Sequence, residues 1–488
     1  MTPDAPPRWA LDAAIFAVSL AVLLGAFAAI GLGYEGDTFT CFYWGRQLIN
    51  GEALDRVNPG TTAPKILLIA LAAVGQLAPG ERGAEFFYMA VVAAAGAGVV
   101  VLASRLARRI AGTAAGIIAA LLVLGHMQFI QYVVTGQSPI LASLFCMGAV
   151  LMATREETRV RDYLWAALLV FGAAMARPEA ALLGGGLGLA LWLRLGWKRP
   201  WWPAALVVAG VASLGANLLF HRIAFGSSRY VVDMAVLDTA TTKGSLPSLH
   251  VGFAAVVVKT LFHYANRLWP LLFFAVVGAG LVVGKDRWRR YAAVFLLPLS
   301  TVAATWLMLF RGSLVNERCF YYVSFVIIAL ASAAIAWLAS LAASSAEFLA
   351  PLSPRWRVAG FIAIALGVMA PTYVSRPVPW QFGRDYRSLE HAADFLRTRL
   401  AEAPAGEQPG VMDETSHVRY RLRIPSPQDT WDAIRSLRAG EGALPDTIDY
   451  YVADSRMFPD ELPPEWRLEL AWKSDESPMA VYRHGAGP

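Results

Sequence analysis

The sequence predicts an all-α polytopic membrane bundle of about eleven spans, followed by a small extracytoplasmic α/β domain. Three observations predict it. Of 488 residues, 57% are hydrophobic and 16% charged, against roughly a quarter charged in a soluble domain. Long apolar runs recur from Leu11 to about Tyr373, each suited to the hydrocarbon core of a bilayer. After Ser375 the texture changes. Residues 376–488 hold 14 Lys and Arg against 19 Asp and Glu, a net of −5, which leaves 28 against 17, or +11, for the rest of the chain. The positive charge therefore belongs to the membrane part, where it sets topology. It gives no reason to expect a nucleic-acid partner.

The expected spans are 11–32, 85–104, 110–126, 137–153, 162–176, 178–195, 201–221, 268–284, 291–310, 319–342 and 358–374. The first is longer than the roughly 7–15 apolar residues of a signal-peptide core, so it reads as an uncleaved span. Residues 64–78, opening on a Pro, are the doubtful case, and charge decides it. If this stretch does not cross, the N-terminus and the short loops of one face hold 16 Lys and Arg: Arg8, Arg105, Arg108, Arg109, Arg155, Arg159, Arg161, Arg194, Lys198, Arg199, Lys285, Arg287, Arg289, Arg290, Arg355 and Arg357. The short loops of the other face beyond residue 85 hold Arg177, Arg311 and Arg318. The positive-inside rule then makes the first face cytoplasmic. Residues 64–78 become an interfacial or re-entrant helix, and the loops 33–84 and 222–267 and the tail lie outside.

The domain reading is a membrane domain over 1–374, a Pro-rich linker over 375–390 and an α/β domain over 391–488. In the last, 391–400 and 429–440 read as helices, and 448–454 and 479–484 as strands. Lid, acceptor-docking and structural-cap roles all suit it. Cys41, Cys146 and Cys319 are scattered, and their spacing suggests neither a metal site nor a disulfide framework.

Four places carry polar residues of chemical interest. Asp37 stands just past the first span, with Glu35 two residues before it. From Asp37 to Asn50 the apolar spacing predicts a short helix on the bilayer surface, with Asp37 at its N-cap or first turn and Asn50-Gly51 as its stop. Asp37 is then either a cap or a general base placed to deprotonate an acceptor hydroxyl. Arg177-Pro178-Glu179 falls between two short apolar runs. The Pro ends one helix and opens the next, and ionisable residues at such depth point to a polar cavity. Arg177 suits a phosphate; an Arg–Glu pair serving the broken helix ends is the structural alternative. Arg311, Asn316, Glu317 and Arg318 gather at the entry to a long span, either as snorkelling side chains or, with Arg177, as a basic cavity. His250, in the loop 222–267, reads as a structural hydrogen-bonder, with no metal triad around it.

Taken in order, these motifs resemble the GT-C superfamily of membrane glycosyltransferases that use polyprenyl-phosphate sugars, and within it the bacterial arabinofuranosyltransferase-like proteins. Gly36-Asp37-Thr38-Phe39-Thr40-Cys41-Phe42-Tyr43-Trp44-Gly45-Arg46-Gln47-Leu48-Ile49-Asn50-Gly51 is similar to the first loop of those proteins. Thr62-Ala63-Pro64-Lys65 is similar to their turn, and Arg177-Pro178-Glu179-Ala180 to their R-P-[ED]-[GA] motif. Asn316-Glu317-Arg318-Cys319-Phe320-Tyr321-Tyr322 resembles a later segment but lacks its Pro. The resemblance implies a plasma-membrane enzyme of the bacterial cell envelope. It would carry Asp37 as general base and a donor phosphate held by Arg177, Arg318 and Arg311, with Glu35, Glu179, Lys65 and Glu317 in support. The partners implied are a polyprenyl-phosphate sugar donor, a glycan, lipid or protein acceptor and the membrane lipids. Gly36 stands where the family often has a first Asp, so a divalent metal finds no paired carboxylate here, and no cofactor is assigned. Two other readings remain: a transporter or flippase of lipid-linked sugars, and a ligase or polymerase of preassembled glycans. The polar residues gather at one face and no internal repeat is evident, unlike many transporters.

Overall fold

The computed structural model describes residues 8–30, 36–52, 54, 65–156, 159–196, 199–225, 268, 270–283, 288–297, 299–300, 303, 321–345, 360, 363, 367, 382–404, 409–413, 417–424, 448–454, 466–472 and 479–485. The membrane part contains α1 (Arg8–Ile30), α2 (Gly36–Asn50), α3 (Ile66–Gly75), α4 (Gly80–Ala111), α5 (Thr113–Leu124), α6 (Met127–Val134), α7 (Ser138–Ala153), α8 (Val160–Ala176), a 3-10 turn (Pro178–Leu182), α9 (Leu183–Leu195), α10 (Trp201–Phe225), α11 (Leu271–Val283) and α12 (Tyr322–Ser345). Its core is built from α4, α5, α7 and α12, whose facing residues (Val92, Ala119, Met147 and Ile328 among them) are buried.

Among the described residues, four stretches are long and apolar enough to cross a bilayer: Trp9–Ala29, Gly80–Ala111, Trp201–Phe225 and Tyr322–Leu341. A fifth arises if α5 and α6, bent by 58° across the break between them, count as one span. The sequence predicts eleven. Four further expected spans form shorter helices: α7, α8, α9 and α11 run 16, 17, 13 and 13 residues, against the ~20 typical of a full crossing. Half of the expected span 291–310 and most of 358–374 lie outside the described residues. The stretch expected at 64–78 forms α3, ten residues long and thus about 15 Å, half the depth of the hydrocarbon.

Gly112 (φ +89°) closes α4 just after Arg108 and Arg109 in its last turn, the cations lying where a helix C-terminus favours them. That end of the bundle gathers arginines. Arg105 and Arg108 pair with Asp12 of α1. Arg109 donates to the Leu151 carbonyl (2.6 Å), Arg194 to those of Ala153 (2.8 Å), Arg155 (2.6 Å) and Glu156 (2.9 Å), and Arg290 to that of Thr154 (3.2 Å). Arg155 pairs with Asp162, whose carboxylate also accepts the Arg159 N–H at the start of α8. These are the loop charges that the sequence assigns to a single face.

The tail carries α13 (Phe382–Ala401), α14 (His417–Leu422) and strands β1 (Val411–Asp413), β2 (Tyr450–Asp454), β3 (Trp466–Trp472) and β4 (Met479–His484) in the order β1-β2-β4-β3, with β1 parallel to β2 and the other pairs antiparallel. Leu389 and Leu396 of α13 and Val418 of α14 pack with Val452 and Val481 on one sheet face, while Tyr451, Ala453 and Trp466 cluster on the other, as strand alternation requires. The helix expected at 391–400 begins earlier, at Phe382. The one expected at 429–440 lies outside the described residues, and β1 and β3 were not foreseen.

Candidate functional site at the Asp37 end of the bundle

Asp37 is the second residue of α2, and Gly51 (φ +72°) follows the helix's last residue, Asn50. The predicted helix is therefore present, with Asp37 in its first turn, where the partial positive charge of the helix end favours a carboxylate. Phe39, Cys41, Phe42, Tyr43 and Trp44 of α2 are buried within the protein, while Leu48 and Ile49 near its last turn are exposed. Phe42 stacks on Tyr420 of the tail (5.5 Å between centroids) and meets Tyr88 of α4 edge-on (5.0 Å). Phe39 meets His417 edge-on (4.2 Å), and Trp44 packs on Phe225 (5.3 Å). Aromatic partners in the bundle and tail thus take up Phe39, Phe42 and Trp44.

The turn between α6 and α7 holds the start of α2. The Thr38 hydroxyl, next in sequence to Asp37, donates to the Thr135 carbonyl (2.8 Å), and the Tyr88 hydroxyl donates to that of Gly136 (2.8 Å). Gly136 has φ +66°, and a Cβ there would meet Tyr88 at 2.9 Å and Met89 and Thr38 at 3.2 Å. Both conformation and space call for glycine. Two residues on, Ser138 opens α7, and its hydroxyl accepts from Arg177 (3.1 Å). Arg177 caps the end of α8, is only 8% exposed and pairs with Glu179 (3.2 Å). The turn at 135–138 thus links the helix that opens with Asp37 to the buried Arg177.

Lys65 is buried at the N-cap of α3. Gly45 lies so close to α3 that a Cβ would stand 2.6 Å from the Ala73 nitrogen, and Asn50 shares a pocket with Gln76 and Ala78 beyond the end of α3. The two helices therefore run in the same sense, and the Lys65 end of α3 lies toward the Asp37 end of α2. Glu35, Arg311, Glu317 and Arg318 lie outside the described residues, as does the loop 226–267 with His250. Among the described residues no group of three or more His, Cys, Asp and Glu side chains gathers in a way that could hold a metal ion.

The tail covers this same end. Arg46 of α2 donates to the Tyr420 carbonyl (2.7 Å) and lies over the Tyr43 and Tyr420 rings; burial lowers its pKa from the ordinary value. Arg421 bonds Glu85 of α4 (2.6 Å) and Glu390 of α13 (2.8 Å), and Arg423 bonds Glu81 (3.3 Å). Burial pushes the Tyr420 phenol up to about 12, and it accepts from Gln76 (3.5 Å). Sequence reasoning missed Thr38, Gly136 and Ser138, and also Tyr420 and Arg421. Thr135-Gly136-Gln137-Ser138-Pro139 between two apolar runs, with Pro at the first turn of a helix, was the available signal for the turn. Nothing in the sequence points from Arg46 to Tyr420.

The chain shares its fold with solved structures of a bacterial ArnT and of an archaeal oligosaccharyltransferase. The chain is similar to ArnT from Cupriavidus metallidurans bound to undecaprenyl phosphate, with a TM-score of 0.57 at 13% identity over 99% of this chain and 100% of that one. It is also similar to the Archaeoglobus fulgidus oligosaccharyltransferase in its apo form (TM-score 0.53, 13% identity, 91% of this chain and 70% of that one). The complex of that organism's AglB with an inhibitory peptide and a dolichol-phosphate is a third (TM-score 0.52, 13% identity, 92% and 70%). No protein-family model and no curated protein matches the sequence.

Proposed function

We propose that the protein is an inverting glycosyltransferase that moves one sugar from a polyprenyl-phosphate donor to a glycan, lipid or protein acceptor on the extracytoplasmic side of a bacterial plasma membrane. The observation that carries the proposal is the link from the Asp37 helix, through the turn at 135–138, to the buried Arg177, at the end of the bundle away from the arginine cluster. Two of the solved structures of similar fold hold undecaprenyl phosphate or a dolichol-phosphate, which supports a lipid phosphate donor. Under this reading Asp37 takes the proton of the acceptor hydroxyl as its oxygen attacks the anomeric carbon. The bond from that carbon to the phosphate oxygen breaks, its electron pair stays on the phosphate, and configuration inverts. Arg177, with Arg318 and Arg311, holds the growing negative charge of the leaving phosphate. Glu179 orients Arg177, and Lys65, Glu35 and Glu317 complete the polar surround.

Purified protein in lipid nanodiscs, given single-sugar polyprenyl-phosphate donors, tests this. Asp37→Asn should lower transfer by a factor on the order of 10²–10⁴, the usual contribution of a general base, with the thermal melt unchanged. Undiminished transfer would remove Asp37 from its role. Use of preassembled lipid-linked oligosaccharide in place of single-sugar donors would favour the ligase reading, and lipid translocation without transfer would favour the flippase.

A further inference from the structure

A polar cavity lies at the far end of α2 from Asp37, where α2, the loop between α3 and α4, and the tail meet. It encloses about 470 Å³ and is lined by Tyr43, Arg46, Asn50, Gln76, Glu81 and Arg423, among others. That volume is in the range of small-ligand sites. Arg46 is nine residues on from Asp37, which along a helix places it ~13 Å away, too far to take part in the bond being made.

The chemistry of the lining selects a ligand class. Its two cations, Arg46 and Arg423, are balanced by Glu52 and Glu81. Arg423 is bonded to Glu81 (3.3 Å), the Asn50 amide donates to Glu52 (2.8 Å), and Arg46 is held by the Tyr420 carbonyl and the two tyrosine rings. An anion or a cation would find no excess of the opposite charge. A neutral polyhydroxylated ligand would find donors and acceptors interspersed. Arg423 adds a second observation. With φ +56° it is the sole non-glycine residue among the described residues in the left-handed region, a conformation that persists where the surroundings impose it and that clusters at ligand clamps. Its side chain, 70% exposed, stands at the cavity's rim.

We infer that this cavity is a binding subsite for a neutral sugar residue of the acceptor glycan, several rings away from the hydroxyl that reacts. The inference rests on the transferase reading, since it names the class of acceptor that such an enzyme would take. It also gives the docked tail a role, because the tail supplies one wall.

Saturation-transfer NMR on the full chain in nanodiscs, without donor, tests the subsite. The probes are neutral manno-, gluco- and arabino-tetrasaccharides, with tetragalacturonate as the charged counterpart. The expected result is saturation of at least one neutral tetrasaccharide in preference to tetragalacturonate. Arg423→Gly should weaken that binding at least tenfold while leaving the melting temperature equal or higher, since glycine accepts the left-handed backbone without strain. Asp37→Asn should retain it. No saturation of any neutral probe, a preference for the anionic probe, or undiminished binding by Arg423→Gly would each overturn the subsite. Because the readout requires no turnover, the two proposals can fail separately. Glycan binding without transfer in the wild type would sink the enzyme and leave the subsite, and transfer without glycan binding would do the reverse.

Discussion

The two ends of the bundle use arginine differently. At one end, Arg109, Arg194 and Arg290 donate to main-chain carbonyls at the ends of α7 and in the loop after it. The Leu151 and Ala153 carbonyls fall in the last turn of α7, where helix carbonyls lack main-chain partners, so Arg109 and Arg194 complete the helix end. At the other end, Arg177 reaches a hydroxyl and a carboxylate, Ser138 and Glu179. Side chains of that kind can rotate and yield a guanidinium to an incoming phosphate, whereas a helix carbonyl cannot. Arg177 thus differs from Arg109 and Arg194 in its acceptors, although the division is not complete: Arg105 and Arg108 pair with Asp12 and Arg155 with Asp162 at the first end, and Arg46 donates to a main-chain carbonyl at the second.

The largest expected effect lies where the tail joins the Asp37 end. Arg421 and Glu85 are both nearly buried, with side-chain exposures of 7% and 9%. Arg421→Ala would leave Glu85 desolvated without its cation, a change that costs about 3–5 kcal/mol for a buried pair. Thermal unfolding should shift downward and limited proteolysis should release the tail. A double variant with Glu85→Gln should recover part of the loss. A tail that stays protected in the single variant would mean that the aromatic contacts of Phe39 and Phe42 hold it without the ion pair.

Arg177 and Arg194 then form a matched test of the two ends. Arg177→Ala should reduce donor use by about a hundredfold, the scale of one charge-stabilising donor in a transition state, with membrane insertion normal. Arg194→Ala should leave transfer rates intact and lower stability by about 1–3 kcal/mol, the usual range for losing hydrogen bonds from a charged group. Steady-state kinetics beside a melting curve read both. If Arg177→Ala loses stability without losing donor affinity, it belongs with the structural arginines after all.

Much of the fold was legible because hydropathy and charge are long-range averages. The helices near 11–32, 85–104, 137–153 and 201–221 appear where apolar runs predict them, and the loop arginines meet at one end as the charge asymmetry requires. Asp37 in the first turn of a helix that stops at Asn50-Gly51 was legible from local spacing. What was not legible is pairing across the chain. The apolar face of α2 looks the same in sequence whether it faces lipid or the tail, and only folding brings Tyr420 onto Phe42 and Arg46. The left-handed Gly136, and Ser138 beneath Arg177, were hidden for the same reason, since their partners are about forty to a hundred residues away.

The smallest expected effect concerns pH at the same junction. His417 is fully buried, and burial, the largest influence, holds its imidazole below its ordinary value; Arg421 acts in the same direction, while Glu390 and Asp413 oppose it. The folded protein therefore prefers neutral His417, whereas the unfolded chain titrates near 6.5. Below that pH the unfolded state binds the extra proton, so this contribution to stability is full above about 6.5 and weakens as the pH falls toward the depressed value, by at most about 1.4 kcal/mol per pH unit for one proton. Glu81, Glu85, Glu390 and Arg421 face the same junction, so a melt series alone does not isolate the imidazole. A parallel series on His417→Gln does. Between pH 7.5 and 5.5 the wild type should lose more of its melting temperature than this variant, and parallel curves would assign the pH response to the carboxylates instead.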